Sequence, residues 1–204
     1  MFELIIASLI GYSLGNFQTS YILGRLFRKI DIRNLGNGNA GASNATKTLG
    51  WKYGIIIALL DILKAVLAVI MVRRLFPDSP IFLFTAGFST MLGHIYPIIL
   101  GFRGGKGTAS LIGMLISIDY RIGLILIFLL VSITIITDYI ALATIVVVSI
   151  LPVLTYLFGY SINSILICIF IALLSIYKHL PNIKNIINKR EPGLRETINK
   201  KKKK

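Results

Sequence analysis

Residues 53–72, YGIIIALLDILKAVLAVIMV, form an unbroken run of 20 with only two charges. At about 1.5 Å per residue such a helix is about 30 Å long, which matches the hydrocarbon layer of a bilayer. The two charges, Asp61 and Lys64, are three apart and share one helix face. Charges at that depth are costly and are either paired or line a site; from sequence, both readings of this pair stand open. Further apolar runs cover Leu4 to Leu23, Pro80 to Leu100, Thr108 to Ile118, Ile122 to Thr137, Tyr139 to Phe158 and Ile162 to Tyr177. The pattern predicts an all-α integral membrane protein, a bundle of about seven transmembrane helices. The run from Thr108 is short, about 16 Å for its eleven residues, so it is either a half-span helix or the first part of one helix continuing through Asp119-Tyr120-Arg121.

Composition agrees with this class. Hydrophobic residues make up 55% of the 204-residue chain and charged residues 15%, too apolar for disorder or for an ordinary soluble domain. The formal charge of +14, from 22 Lys and Arg against eight Asp and Glu, would suggest nucleic acid in a soluble protein. In a membrane protein it sets topology and attracts anionic lipid, and no nucleic-acid partner is expected. With seven crossings and the amino terminus outside, segment 24–52 holds six Lys and Arg, 101–107 two and the tail from 178 ten, all on one side. The other side holds only Arg73, Arg74 and Arg121. This predicts a single membrane domain over 1–204, with cytoplasmic loops 24–52 and 101–107, a cytoplasmic tail 178–204, and a carboxyl terminus inside. The amino-terminal MFELIIASLIGYSLGN lacks a basic leader and a small-x-small site, so it is expected to be a retained span. The one cysteine, Cys168, lies in an apolar run and can form neither an intramolecular disulfide nor a cysteine metal site. The terminal KKKK is expected to be a solvated, lipid-attracted tail.

The first loop, GRLFRKIDIRNLGNGNAGASNATKTLG from Gly24 to Gly50, contains G-x-G-x-x-G at Gly36, Gly38 and Gly41, with Asp61 twenty residues further on. That spacing suits a dinucleotide fingerprint, but the acid falls within an apolar helix and no βαβ unit surrounds the glycines. What remains is a Gly/Asn-rich loop with Asn37, Asn39 and Asn44, flanked by Arg25, Arg28, Lys29, Arg33 and Lys47. Main-chain amides at glycines converge on anions, and arginine forks match phosphate oxygens. A flexible loop made basic by topology alone is the plainer reading.

The second loop, GFRGGKGTAS from Gly101 to Ser110, surrounds Lys106 with Gly104, Gly105 and Gly107 immediately before an apolar helix. It fails the nucleotide P-loop pattern, because Leu100 stands where the first glycine belongs and Gly107 replaces the magnesium-binding Ser or Thr. Amides at a helix start beside a lysine suit a phosphate monoester; a glycine hinge between two helices is the alternative. The two histidines, His94 and His179, lack neighbouring carboxylates of metal-ligand spacing, so no metal is expected. Each is a candidate to hydrogen-bond a phosphate or orient a loop, and for His94 a structural bond to a carbonyl is an equal alternative.

Three segments in order, SYILGRLFRKIDIRNLGNGNAGASNATKTLG (20–50), LGHIYPIILGFRGGKGTAS (92–110) and YKHLPNIKNIINKREP (177–192), resemble the cytoplasmic motifs of the PlsY family. These are bacterial membrane acyl-phosphate:glycerol-3-phosphate acyltransferases. The resemblance covers nearly the whole chain. It implies that the three motifs meet at the cytoplasmic face of a bacterial plasma membrane. It also implies phospholipid biosynthesis by transfer of a fatty acyl group from acyl phosphate to the sn-1 hydroxyl of glycerol 3-phosphate. The products are lysophosphatidate and inorganic phosphate, with no cofactor. A soluble acyl-phosphate synthase of the PlsX type is an implied supplier and possible partner. An acyl phosphate is already an activated anhydride, so positioning and charge neutralisation suffice in place of a protein nucleophile.

Carried over residue by residue, the resemblance assigns the phosphate of glycerol 3-phosphate to Gly104, Gly105, Lys106 and Gly107, with Gly36 and Gly38 as further phosphate-binding glycines. Arg25, Arg33, Asn37, Asn39 and Asn44 line the site from the first loop, and His179, Asn182 and Glu191 close it from the tail. Ser43, Asp61, Lys64 and His94 are further candidates to line it. Two departures are visible. The family usually has Gly-Ser-Gly-Asn where Gly36-Asn37-Gly38-Asn39 stands, and Gly-Thr-Glu-Pro where Lys189-Arg190-Glu191-Pro192 stands. A catalytically weak or silent paralogue, or an organic-phosphate transporter, are the alternative readings.

Overall fold

The computed structural model describes residues 1–77 and 79–199. Every regular element among them is helical, and five helices are long and apolar enough to cross a membrane: Trp51–Leu75, Pro80–Leu100, Tyr120–Thr137, Ile140–Leu157 and Ile162–Ile187. The lysine run 201–204, expected to be a lipid-attracted tail, lies outside the described residues. The chain divides into two compact units, Met1–Tyr120 and Arg121–Lys204.

In the first unit, α1 (Phe2–Gly15), α4 (Trp51–Leu75), α5 (Pro80–Ile95) and α6 (Thr108–Ile118) pack together, while α2 (Thr19–Arg28) and α3 (Ala42–Thr48) carry the first loop. Small residues set the spacing, as expected where close backbone approach replaces a hydrophobic driving force. A Cβ on Gly11 or Gly15 of α1 would collide with the Ala86 or Thr90 carbonyl of α5, and one on Gly113 of α6 with the Ile62 carbonyl of α4. Two apolar clusters lie toward opposite ends of α4. Ile57 packs with Ile32, Ala40, Ala45 and Leu49 beneath the first loop, and Val69 and Val72 pack with Ala7, Leu83 and Ala86.

The run Leu4 to Leu23, expected as one span, is two helices. The chain breaks at Asn16-Phe17-Gln18, and polar side chains satisfy the carbonyls that the break releases. Gln18 Nε2 donates to Gly15 O at 3.0 Å and Lys64 Nζ to Phe17 O at 2.9 Å. The alternative left open at Asp119 is also resolved. Asp119 is extended (φ −144°, ψ 108°), so α6 ends at Ile118 and does not fuse with α7 (Tyr120–Thr137). The Arg73 guanidinium donates to the carbonyls of Ser117 and Ile118, capping the short helix.

In the second unit, α7, α8 (Ile140–Leu157) and α9 (Ile162–Ile187) are followed by the short α10 (Leu194–Asn199). Leu151 of α8 and Cys168 and Ile171 of α9 are fully buried, and the Cys168 thiol lies 3.3 Å from Thr155 Oγ1. Asp138, at φ 69°, forms the corner between α7 and α8 and holds the start of α10. Leu194 N donates to its main-chain oxygen at 2.9 Å and Arg195 N to its Oδ1 at 2.9 Å. The corner and the carboxyl-terminal segment therefore lie at one end of this unit.

Candidate active site at two glycine loops

The first loop is organised by a carboxylate between two arginines. After α2, Lys29 turns the chain at φ 54° and Asp31 caps a single 3-10 turn, Ile32–Asn34, by accepting from Arg33 N at 3.0 Å. The Arg33 guanidinium grips Asp31 as a fork, Nε to Oδ1 at 3.0 Å and Nη2 to Oδ2 at 2.8 Å, while Nη1 reaches Leu100 O at 2.7 Å. Arg25 Nη2 lies 3.7 Å from the same carboxylate. Both guanidinium groups sit over the Tyr21 ring, at 5.4 Å for Arg25 and 5.2 Å for Arg33. The hydrogen bond from Arg33 holds the Asp31 carboxyl below the ordinary aspartate range and raises the arginine in turn.

Asn44 is the internal brace of this loop. It is buried, and its Nδ2 lies within 3.0 Å of the carbonyls of Ile32, Leu35 and Asn39 while its Oδ1 accepts from Asn37 N at 2.6 Å. Its side chain is thus engaged with loop backbone, and it shapes the site through the chain it holds. Gly36 (φ 58°) and Gly38 (φ 70°) occupy left-handed conformations, and a Cβ on Gly36 would collide with the Asn44 amide. Asn39 Oδ1 accepts from Gly41 N at 3.1 Å, immediately before α3. Asn37 is exposed and accepts from Lys47 Nζ at 3.3 Å through its Oδ1; Ser43 is exposed on α3.

The two loops touch. Ala40 N donates to Gly104 O at 3.1 Å, and a Cβ added at Gly41 would stand 3.9 Å from Gly105 Cα. The glycines of the second loop have a packing reason. A Cβ on Gly104 would strike the His94 carbonyl, one on Gly105 the His94 ring, and one on Gly107, which is at φ 87°, would stand 2.7 Å from Met91 Cγ. The amides of Gly104 and Gly105 are engaged by α5, donating to Ile95 O at 3.1 Å and His94 O at 3.0 Å. They shape the loop that leads through Lys106 into α6.

Below that loop lie Asp61, Lys64 and His94, 1%, 4% and 3% exposed. Lys64 Nζ is 2.8 Å from Asp61 Oδ1 and 2.8 Å from His94 Nδ1, and Thr19 Oγ1 donates to Asp61 Oδ1 at 3.3 Å. Of the two readings of Asp61 and Lys64, the pairing is what the geometry shows, and Lys64 also contacts His94, whose ring packs against Gly105.

The third motif lies in the second unit. His179 Nδ1 is 2.8 Å from Ser175 O one turn back on α9, and Asn182 Nδ2 donates to Glu191 Oε1 at 3.0 Å. Asn185 Nδ2 reaches Glu191 Oε2 at 3.4 Å, and Asn185 O accepts from Glu191 N at 3.1 Å, which folds the segment after α9 back onto the helix.

A model of the family described as glycerol-3-phosphate acyltransferase matches residues 5–189. The chain belongs to the glycerol-3-phosphate acyltransferase family. Among relatives of this family, glycerol-3-phosphate acyltransferase 1 of Oceanobacillus iheyensis is 43% identical, covering 97% of this chain and 98% of its own. The enzyme of Aquifex aeolicus is 35% identical over 88% of this chain and 93% of its own. The crystal structure of PlsY, an integral membrane glycerol 3-phosphate acyltransferase, in its glycerol 3-phosphate form aligns with a TM-score of 0.86 at 31% identity, over 93% of this chain and 94% of that one. Its lysophosphatidic acid form aligns at 0.83 and 30% identity, over 96% and 98%. The acyltransferase is therefore an integral membrane enzyme of known fold.

Sequence reasoning passed over Tyr21, Asp31 and Gln18. Asp31 was legible in principle, as an acid two residues before an arginine in a basic loop. Gln18 was an amide inside an apolar run. Tyr21 gave no signal, since its role depends on two arginines brought over one ring.

Proposed function

We propose that this chain acylates the sn-1 hydroxyl of glycerol 3-phosphate with a fatty acyl phosphate, giving lysophosphatidate and inorganic phosphate. The observation that carries this reading is the junction of the two glycine loops, where Ala40 N donates to Gly104 O and Arg33 Nη1 to Leu100 O. Lys106 and the start of α6 hold the phosphate of glycerol 3-phosphate. Arg25 and Arg33, braced by Asp31 and Tyr21, face the donor phosphate, with Asn37, Asn39, Gly36 and Gly38 beside them. The glycerol hydroxyl attacks the acyl carbonyl, the bond from carbonyl carbon to phosphate oxygen breaks, and the hydroxyl proton passes to a substrate phosphate. Positioned cations disperse the charge that gathers on the leaving phosphate. His179, Asn182 and Glu191 are carried in the proposal by the third motif alone.

In the same reading the chain is one membrane domain of seven crossings in the bacterial plasma membrane. The shorter helices α1 and α6 complete the count, with the amino terminus outside and loops 24–52 and 101–107 and tail 178–204 cytoplasmic. The charge distribution supports this, as do two contacts, each within one unit: the loops meet each other, and the tail meets the α7–α8 corner. A soluble PlsX-type acyl-phosphate synthase is the proposed supplier. Family membership favours acyl transfer over the transporter reading.

The test is phosphate release by purified protein in lipid, given long-chain acyl phosphate with and without glycerol 3-phosphate, while lysophosphatidate is followed directly. Release that depends on glycerol 3-phosphate and matches product is the expected result. Binding of both substrates without product, with turnover restored in Asn37→Ser, would establish the silent paralogue instead.

A further inference from the structure

Three ionisable side chains lie in the middle of the first unit with no direct part in the proposed chemistry: Asp61, Lys64 and His94. Burying them is costly unless each is paired, and losing one partner strands the others. The geometry shows what they do together. The Lys64 ammonium has three protons and no lone pair. Its close neighbours are Asp61 Oδ1 at 2.8 Å, His94 Nδ1 at 2.8 Å and Phe17 O at 2.9 Å, with Gly15 O further away at 3.4 Å. Because Lys64 only donates, His94 Nδ1 must accept, and the single ring proton sits on Nε2. Asp61 Oδ1 lies 3.6 Å from the same ring nitrogen, beyond hydrogen-bond reach, and does not compete for it.

The other edge of the ring meets the second loop. A Cβ on Gly105 would collide with His94 Nε2, so that nitrogen is packed against the Gly105 backbone. The main-chain oxygen of the same histidine accepts from Gly105 N at 3.0 Å and from Gln18 Nε2 at 3.2 Å. His94 thus touches the loop with both its ring and its carbonyl, and Lys64 touches the break between α1 and α2 and the His94 ring at once.

We propose that Lys64 is a positioning residue for acyl transfer, fixing His94 as the neutral Nε2–H tautomer and thereby holding a ring N–H against the base of the Gly104–Gly107 loop. This rests on the reading of that loop as the glycerol 3-phosphate site. Lys64 touches no substrate in this scheme. Its effect reaches the substrate phosphate through the orientation of one imidazole, so it governs affinity for glycerol 3-phosphate and leaves the acyl phosphate untouched.

The chain has two histidines, which makes the tautomer directly measurable. Full-length protein labelled with 15N-histidine is placed in lipid nanodiscs, with His179→Gln used to assign the His94 signals. The expected spectrum is a neutral ring protonated at Nε2 and bare at Nδ1; a ring protonated at Nδ1 would overturn the proposal without any variant. Glycerol 3-phosphate affinity is then measured both as KM and by direct titration. Asp61→Asn combined with Lys64→Met removes both charges together, so no lone buried charge remains. This pair should mix the His94 tautomers and weaken glycerol 3-phosphate at least tenfold, with the KM for acyl phosphate changed less than twofold. A folded double variant with altered tautomer and wild-type affinity would overturn the assignment. If that pair does not fold, His94→Asn keeps an acceptor near the Nδ1 position and loses the Nε2–H; it should show the same tenfold weakening, and wild-type affinity there would refute the idea. Wild-type protein that binds glycerol 3-phosphate with the expected tautomer yet makes no lysophosphatidate would remove the proposed function while leaving Lys64 as the residue that positions His94 for glycerol 3-phosphate binding.

Discussion

Arg33 Nη1 donates to the main-chain oxygen of Leu100 at 2.7 Å while the rest of the same guanidinium is clamped by Asp31. One side chain of the first loop thereby fixes the entrance to the second. A planar group with donors along two edges is needed for this, since a lysine could satisfy the carboxylate or the carbonyl but not both as a fork.

Arg33→Ala should therefore disturb both loops. Losing charge-assisted bonds of this kind costs about 1.5–3 kcal/mol each before any relaxation, and we expect kcat/KM to fall on the order of ten to a thousandfold. Arg33→Lys should recover only a small part. Steady-state kinetics with both substrates varied, on protein of verified fold, measures the effect; wild-type kinetics in Arg33→Ala would remove this residue from the site.

For Lys106→Ala the loss should fall on glycerol 3-phosphate. The expected drop in kcat/KM is on the order of ten to a thousandfold, the range for losing a charge-assisted contact or a transition-state donor. A folded variant with an unchanged KM for glycerol 3-phosphate would rule out the phosphate assignment of the second loop.

Two glycines of the second loop should respond differently to alanine. Gly105→Ala drives a methyl group into the buried His94 ring and should cost about 1–3 kcal/mol with loss of activity. Gly101→Ala meets nothing within 4 Å and bears only the strain of φ 61°, about 1–2 kcal/mol. Thermal unfolding in detergent, read beside turnover, separates steric damage to the site from ordinary backbone strain.

Acid should loosen the first loop through Asp31. Its carboxyl titrates below the ordinary aspartate range because Arg33 donates to it, so the ionised form is favoured in the folded loop. A depressed folded value means that the contribution is complete above the unfolded pKa and is lost as pH falls through the folded one. Protease access to the loop should thus stay constant from neutrality through mild acid and rise only in strong acid. Asp31→Asn should be looser throughout, without the acid step; an identical acid profile in that variant would exclude Asp31 as the group responsible.

The topology predicts that Asn34→Cys, at an exposed position of the first loop, is protected from impermeant thiol reagents in intact cells and labelled once the cells are opened. The native Cys168 is buried and should stay silent in both conditions. Labelling of Asn34→Cys from outside would invert the chain and move the proposed site off the cytoplasmic face.

The sequence by itself determined the membrane class, most helix positions and the family. Runs such as Tyr53 to Val72 need only length and apolarity to mark a crossing, and glycine loops between basic residues mark themselves by composition. The motifs also pointed to Arg33, Asn44 and Lys106. Tertiary structure decided what Arg33 and Asn44 hold. Asn44 proves to hold loop carbonyls, and the Gly104 and Gly105 amides bond to α5, because hydrogen-bond partners depend on which backbone groups distant segments bring near. The break at Asn16 to Gln18 was hidden for the same reason. A polar residue in an apolar run interrupts a helix only where other groups donate to the released carbonyls, and here Lys64, 49 positions beyond Gly15, supplies part of that compensation. The link from Asp61 through Lys64 to His94 and Gly105 joins α4, α5 and the second loop, and no spacing along the chain encodes it.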